Sequence, residues 1–155
     1  VLIHNAVRGT RGDVLEVDVA DLERNFSINV TSLLQLTQLV APHMISRSEG
    51  AIMITGNTAA RRGKSFFAAC APTKAAQLIL AESMARRLGP DGVHVAYFVI
   101  DAVIDVPWTR KAFADKPDAF FTKPAAIADS IWHVAHQDRS AWSFDVDLRP
   151  FGETW

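Results

Sequence analysis

Two stretches of this chain, AIMIT at 51–55 and VHVAYFVI at 93–100, are apolar almost without interruption. A strand with one face in water alternates with a period of two; a strand that does not alternate is covered on both faces. Both runs are far too short to span a membrane, and their length suits strands better than helices. Sheets covered on both faces are built from parallel strands crossed by helices. These two runs therefore restrict the chain to an α/β layered architecture.

The intervening segments supply the helices. Asp18 is placed to cap a helix, with Asp21 and Glu23 near its positive end. Leu22, Phe26, Val30, Leu33, Thr37, Val40 and Met44 then recur at spacings of four and three. That spacing predicts one long helix over 18–46 with a single buried face. A second is predicted over 66–88: Pro72 falls near its start, and LGPDG at 88–92 stops it. Pro124 opens a third, running to about His136. Residues 1–4 read as a short strand broken by Gly9, Gly12 and Asp13, and SFDVDL at 143–148 alternates as a half-exposed or edge strand should. Between them, residues 101–122 form a partly aromatic segment with Pro107 and Pro117. Strands and helices alternate throughout, so the fold class is α/β: a doubly wound, Rossmann-like parallel sheet with right-handed crossovers, in a single domain over 1–155.

Composition narrows the partners. The chain has 155 residues, 49% apolar and 21% charged, with a net charge of −1. It has the apolar content to form a core and no global field to draw nucleic acid or an anionic membrane, so neither is an expected partner. The lone Cys70 precludes an internal disulfide and fits a reducing, cytoplasmic compartment. His133 and His136 share a helix face without an evident third ligand, so no metal site is expected. The run GNTAARRGKS resembles a phosphate loop in ending Gly63-Lys64-Ser65, but Thr58 stands where that loop requires glycine. The opening VLIHNAV lies inside a hydrophobic strand, with neither a Met nor a signal peptide, so an upstream part is expected to be missing and the piece is expected not to fold stably alone.

Ligands of such sheets bind beyond the carboxyl ends of the strands. Four segments fall there: HNAVRG, TGNTAARRGKS, IDAVIDVP and RPFGETW. In these and the adjoining helices the sequence resembles the short-chain dehydrogenase/reductase family. HNAV at 4–7 is similar to the Asn-Asn-Ala-Gly stretch after that family's fourth strand, and FSINVTSLLQLTQLVAPHM at 26–44 resembles the helix carrying its active-site asparagine. GAIMITGNTAA at 50–60 resembles the fifth strand and serine loop, CAPTKAA at 70–76 the Tyr-x-x-x-Lys helix, and residues 89–107 the sixth strand and its Pro-Gly turn.

The resemblance implies the later half of a dinucleotide-binding domain, with NAD or NADP as cofactor and the glycine-rich phosphate loop upstream of residue 1. It implies hydride exchange with a small-molecule substrate, a carbonyl or alcohol, and a homodimer or homotetramer paired through the two long helices. The catalytic candidates it gives are Asn29 for a proton-path water, Asn57 as oxyanion donor at the serine position, Cys70 at the tyrosine position, and Lys74 for the ribose and for electrostatics. The cofactor-binding candidates are Asn5, Ala6, Val7, Lys74, Ile100, Asp101 and Val103. Trp108, Phe113, Phe120 and Phe121 fall where the family has its substrate lid.

The departures shape the expected chemistry. Cys70 is either a thiol with a pKa depressed by Lys74 or a buried, inert packing residue; in both cases it ends about 3–4 Å short of where a phenol would reach, and general acids act within ~3 Å. Val7 replaces the glycine of the first motif and is expected to crowd the cofactor. Asp101 is a substitute acid if burial raises its pKa, and otherwise a solvated loop carboxylate. Arg61, Arg62 and Lys64 either attract an anionic substrate or form a solvated charged loop. Two functions stay open: an oxidoreductase with a degenerate tetrad, and a non-catalytic cofactor-binding or scaffolding member.

Overall fold

A computed structural model describes residues 1–153. The strands are β1 (Leu2–His4), β2 (Gly50–Asn57), β3 (Val93–Ile100), β4 (Val103–Ile104), β5 (Phe121–Thr122) and β6 (Asp145–Leu148); the α-helices are α1 (Val19–Phe26), α2 (Ser32–Ser46), α3 (Ala71–Leu88), α4 (Pro107–Ala112) and α5 (Pro124–Ala135). The main sheet runs β1-β2-β3-β6, every pair parallel, with Gly50 opposite Val93 and Asn57 opposite Ile100.

The two unalternating runs are the inner strands, and alternate residues feed opposite cores. On one face Ile52, Ile54, Val95, Tyr97 and Val99 pack with Leu33 and Met44 of α2 and with Ala81, Met84 and Leu88 of α3. On the other, Ala51, Met53, Ala96 and Phe98 pack with Ile127, Ile131 and Val134 of α5. Neither face of β2 or β3 meets bulk water, which is why no polar alternation appears in them. β6 is an edge strand with Asp145 and Asp147 outward, both paired with Arg61.

The helix expected over 18–46 is interrupted. A π turn, Ser27–Thr31, joins α1 to α2, and the Ser32 amide bonds back five residues to the Ser27 carbonyl. The wide turn slows the rotation of the helix, so residues four apart stay in line. The buried stripe is therefore Asn25, Asn29, Leu33, Thr37, Ala41 and Met44, while Leu22, Phe26, Val30 and Val40 are only half covered. The sequence period was right for α2 and one position off for α1.

The second long helix begins at Ala71, five residues later than its apolar content suggests. Residues 64–70 are spent in successive turns, with Phe67 N–H on the Lys64 carbonyl and Cys70 N–H on the Phe67 carbonyl. The same stretch is strapped to the loop after β1: Gly12 N–H donates to the Phe66 carbonyl at 3.0 Å, and Ala68 N–H to the Gly12 carbonyl at 3.4 Å. Gly63-Lys64-Ser65 thus opens no helix, which removes the phosphate-loop reading. Pro72 sits in the first turn, where its missing N–H is not needed.

Residues 101–122 form a small flap. β4 and β5 pair in parallel on either side of α4. Arg110 binds the carboxylates of Asp105 and Asp118 and lies 4.0 Å from the centre of the buried Phe121 ring. Phe121 is packing, not lining. Thr154 and Trp155, the end of the RPFGETW segment, lie outside the described residues.

Gly56 is required by a close approach: a Cβ there would come within 2.0 Å of the Tyr97 hydroxyl oxygen. Gly56→Ala is expected to destabilise the protein by about 3 kcal/mol, read as a lower urea midpoint at unchanged slope. In a Tyr97→Leu background the same substitution should be much milder; an equal loss in both would show that the phenol is not the obstacle.

Candidate active site

The loops after β1, β2 and β3 converge at the carboxyl edge of the sheet, and a buried polar network holds them there. Asn25 and Asn29, one turn apart, anchor the network from the helix side. Asn29 Oδ1 accepts from Arg8 N–H at 2.9 Å, and its Nδ2 donates to the Arg8 carbonyl and to Thr73 Oγ1, each at 2.8 Å. Asn25 Nδ2 donates to the Ala69 carbonyl at 3.0 Å. Asn29 is fully buried; both its amide hydrogens are committed to tying the loop after β1 to α3.

The π turn leaves two carbonyls to side-chain donors. Ser32 Oγ takes that of Ile28 at 2.6 Å, and Gln77 Nε2 takes that of Asn29 at 2.7 Å. Gln77 Oε1 in turn accepts from Lys74 Nζ at 2.8 Å and lies 3.3 Å from the Tyr97 hydroxyl. The second Gln77 N–H points at His4 Nδ1, 3.3 Å away. His4 Nδ1 is therefore the acceptor, and its proton sits on Nε2, 3.0 Å from Ser32 Oγ. Burial, and then the charge of Lys74, hold His4 below its ordinary pKa, in keeping with a neutral ring.

Lys74 is 1% exposed and has no carboxylate partner among the described residues. Besides Gln77 its ammonium donates to the Thr55 carbonyl at 3.3 Å, leaving one N–H uncommitted. Burial lowers its pKa from 10.5 to about 8. The penalty on the charged form is on the order of 3 kcal/mol. Tyr97, the one tyrosine of the chain, has its hydroxyl pushed well above the ordinary range, chiefly by burial.

Next to this network lies a cavity of about 550 Å³ lined by Asn57, Cys70, Ile100, Asp101, Val103 and residues of the flap. Asn57 Oδ1 caps the turn at 58–60 by accepting from Ala59 N–H, which leaves its Nδ2 free to donate to a ligand. Cys70 is buried, with its sulfur against Gly9: a Cβ at Gly9 would be 3.3 Å from it. Burial raises the thiol pKa and outweighs the opposing pull of Lys74. The depressed pKa that the sequence left open for Cys70 is thus not found: desolvation of a thiolate exceeds the attraction of an ammonium turned toward Gln77. Asp101 is half-buried and lies 3.8 Å from Arg62.

A second, apolar groove of about 610 Å³ runs between β1 and α5 and meets the first at Ile100 and Ile104. Its end at the carboxyl edge carries Asn5 and Thr55, whose hydroxyl donates to Asn5 Oδ1 at 2.7 Å. Apolar walls with one amide suit a flat ring bearing a carboxamide, so these residues fit the nicotinamide end of a dinucleotide. Ala6 and Val7 are exposed and line neither space; Val7 stands out to solvent, not into the slot as expected.

Sequence reasoning missed His4, Thr73, Gln77 and Arg11. Gln77 carried a signal: it lies three residues after Lys74, on the same face of a helix that packs on the sheet. Arg61 was grouped with Arg62 and Lys64, but it pairs with β6, while the other two line the cavity.

Residues 1–116 match the family model described as short chain dehydrogenase. An uncharacterized short-chain type dehydrogenase/reductase of Sinorhizobium fredii is 34% identical over 97 residues, covering 61% of this chain and 38% of that protein. L-xylulose reductase of Bos taurus is 30% identical over 120 residues, 77% of this chain and 49% of its own. The chain thus spans half or less of the length of these relatives. Among solved structures, a short-chain dehydrogenase from Rhodopseudomonas palustris superposes with a TM-score of 0.78 at 30% identity, covering 96% of this chain and 61% of that one. A 3-oxoacyl (acyl-carrier-protein) reductase from Agrobacterium tumefaciens, with NADP bound, shares the fold at a TM-score of 0.82 and 21% identity, over 95% of this chain and 62% of that one.

The unfolded chain keeps the Lys74 proton up to about pH 10.5, whereas the folded chain releases it near pH 8. Between these values the unfolded state binds more protons, so stability rises with pH across that window. Denaturant titrations of the parent and of Lys74→Met should differ by this slope; parallel curves would show that the ammonium is not desolvated. Gln77→Met removes the partner of Lys74 and of the Asn29 carbonyl together, and is expected to lower stability by about 3 kcal/mol or more.

Proposed function

The chain belongs to the short-chain dehydrogenase family, and on that premise we propose that it serves as an NAD(P)-dependent oxidoreductase acting on a carbonyl or alcohol with a reduced set of catalytic residues. The observation that carries this reading is that Asn57, whose Nδ2 has no partner among the described residues, and Cys70 line one cavity, which meets the Asn5–Thr55 slot at Ile100 and Ile104. Asn5, Ile100 and the uncommitted N–H of Lys74 would hold the nicotinamide and its ribose, with Asp101 and Val103 beside them. When bound, the nicotinamide supplies or accepts the hydride.

The chain's own residues do the rest. Asn57 donates to the substrate oxygen and stabilises the negative charge that grows there as the carbonyl carbon is reduced. An amide keeps its hydrogens, so it polarises without protonating. Cys70 holds its proton and sits behind Gly9, too short to span the distance a phenol covers. The proton that completes the alcohol reaches the oxygen from water in the cavity. Asp101 meets the substrate as half of an ion pair with Arg62. Asn29 acts as the clamp that fixes the loop after β1. This set lowers the barrier by polarisation alone and leaves out the ~10²–10⁴-fold that a placed general acid contributes.

The same burial of Cys70 favours a second reading, a member that binds the cofactor without turnover. A homodimer or homotetramer suits both readings: Leu36 and Leu39 of α2 and Ile79 of α3 are exposed on the outward faces of the paired helices. No helix among the described residues is long and apolar enough to cross a membrane.

The two readings separate on one comparison. Oxidation of NADPH and NADH with a panel of ketones is expected to be slow in the parent and to rise by about 10² or more in Cys70→Tyr/Asn57→Ser, which restores a phenol and a hydroxyl. Activity only in the double variant would mean that the natural protein binds without turning over. Parent activity abolished by Cys70→Ala would overturn the account of the thiol.

A further inference from the structure

The cavity beside Asn57 is built for a particular shape and charge. Its flap side is aromatic: Trp108 and Phe113 come from α4 and the turn after it, and Phe120 packs on Phe113 with ring centres 5.6 Å apart. Its opposite side is Phe67, held by the strap that bonds Gly12 to the Phe66 carbonyl. That strap also fixes the neighbouring Arg11, whose guanidinium carbon lies 6.0 Å from the Phe67 ring centre. Lys64, three residues before Phe67 and at an exposed position, lines the same cavity. Two cations thus join four aromatic rings in the lining.

The charges do not cancel within the wall. Arg62 and Asp101 lie 3.8 Å apart and neutralise each other. Arg61 is turned away to Asp145 and Asp147. Arg11 and Lys64 have no carboxylate within ion-pair distance among the described residues, and against them the lining carries only Glu153. The unmatched charge is positive and lies at the Phe67 end, while Asn57 offers its free N–H to the substrate oxygen.

Resting on the oxidoreductase reading, we propose that the substrate is an aryl carbonyl compound bearing a carboxylate: its ring between Phe67 and the aromatic flap, its carboxylate on Arg11 and Lys64, and its carbonyl oxygen toward Asn57. A flat ring gains from aromatic faces on both sides, and a carboxylate gains two charge-assisted contacts that a neutral group lacks. Aliphatic keto acids leave the aromatic walls unfilled, and neutral aryl ketones leave both cations unpaired.

Benzoylformate is the probe, with methyl benzoylformate as its uncharged counterpart and pyruvate as the acid without a ring. Dissociation constants are measured by calorimetry on the full chain with NAD⁺ or NADP⁺ present, so that the keto group cannot be reduced. Benzoylformate is expected to bind about tenfold or more tightly than either control, and to weaken as salt rises to about 0.5 M. Arg11→Ala/Lys64→Ala, both at exposed positions, should erase the advantage over the ester while leaving ester binding unchanged. An ester that binds as well as the acid, or a double variant that binds the acid like the parent, overturns the proposal. Selective binding without hydride exchange would sink the catalytic reading and leave the ligand class standing. Turnover of neutral ketones without preference for the acid would do the reverse.

Discussion

Four elements at the carboxyl edge of this sheet meet at one side-chain amide. A primary amide has two hydrogens and two lone-pair directions, and when it is buried all of them need partners. Gln77 meets each requirement with a different element: His4 of β1, the Asn29 carbonyl of the π turn, Lys74 one turn away on its own helix, and Tyr97 of β3. The π turn exists in the same bargain, since its displaced carbonyl is what Gln77 takes. A regular helix there would satisfy that carbonyl internally and leave the amide short of an acceptor.

From this constraint follows the state of the two titratable groups closest to the chemistry. Lys74 keeps its ammonium in apolar surroundings because Gln77 and the Thr55 carbonyl accept from it, and it keeps it weakly, with a pKa of about 8. Cys70 lies at the mouth of the same helix, and its thiol is pushed up because burial acts on it more strongly than Lys74 does. An ammonium attracts a thiolate only as far as its hydrogens and its exposure allow. Here they are directed to an amide and a carbonyl, so the ammonium does not offset the burial of the thiol. In the proposed reaction polarisation is left to Asn57, whose oxygen is occupied by a cap and whose nitrogen has no partner among the described residues.

Much of the frame was legible without coordinates. AIMIT and VHVAYFVI declared buried strands because two-sided burial removes alternation, and the glycines and prolines after α3 and before α5 marked helix limits because their backbone chemistry leaves few choices. SFDVDL announced an edge because only an edge tolerates aspartate at every second residue. The motif order around Asn29, Asn57 and Lys74 led to the family. The errors share one cause. The π turn, the late start of α3 and the role of Gln77 depend on partners 20 to 73 residues away, and no local period records them.

What the chain determined by itself was its layering, its strand order in outline and the residue types at the strand ends, since burial and backbone propensity act over a few neighbouring positions. What only the tertiary structure decided was which of those residues are spent and which are free. Asn29 is consumed as a clamp and Arg61 by an edge strand, and Lys74 keeps one N–H of three, while Asn57 Nδ2 and the side chains of Arg11 and Lys64 have no hydrogen-bond or ion-pair partner among the described residues. Availability is a matter of the third dimension: a donor is free or taken according to what folds against it, and that neighbour is set by packing across the whole sheet.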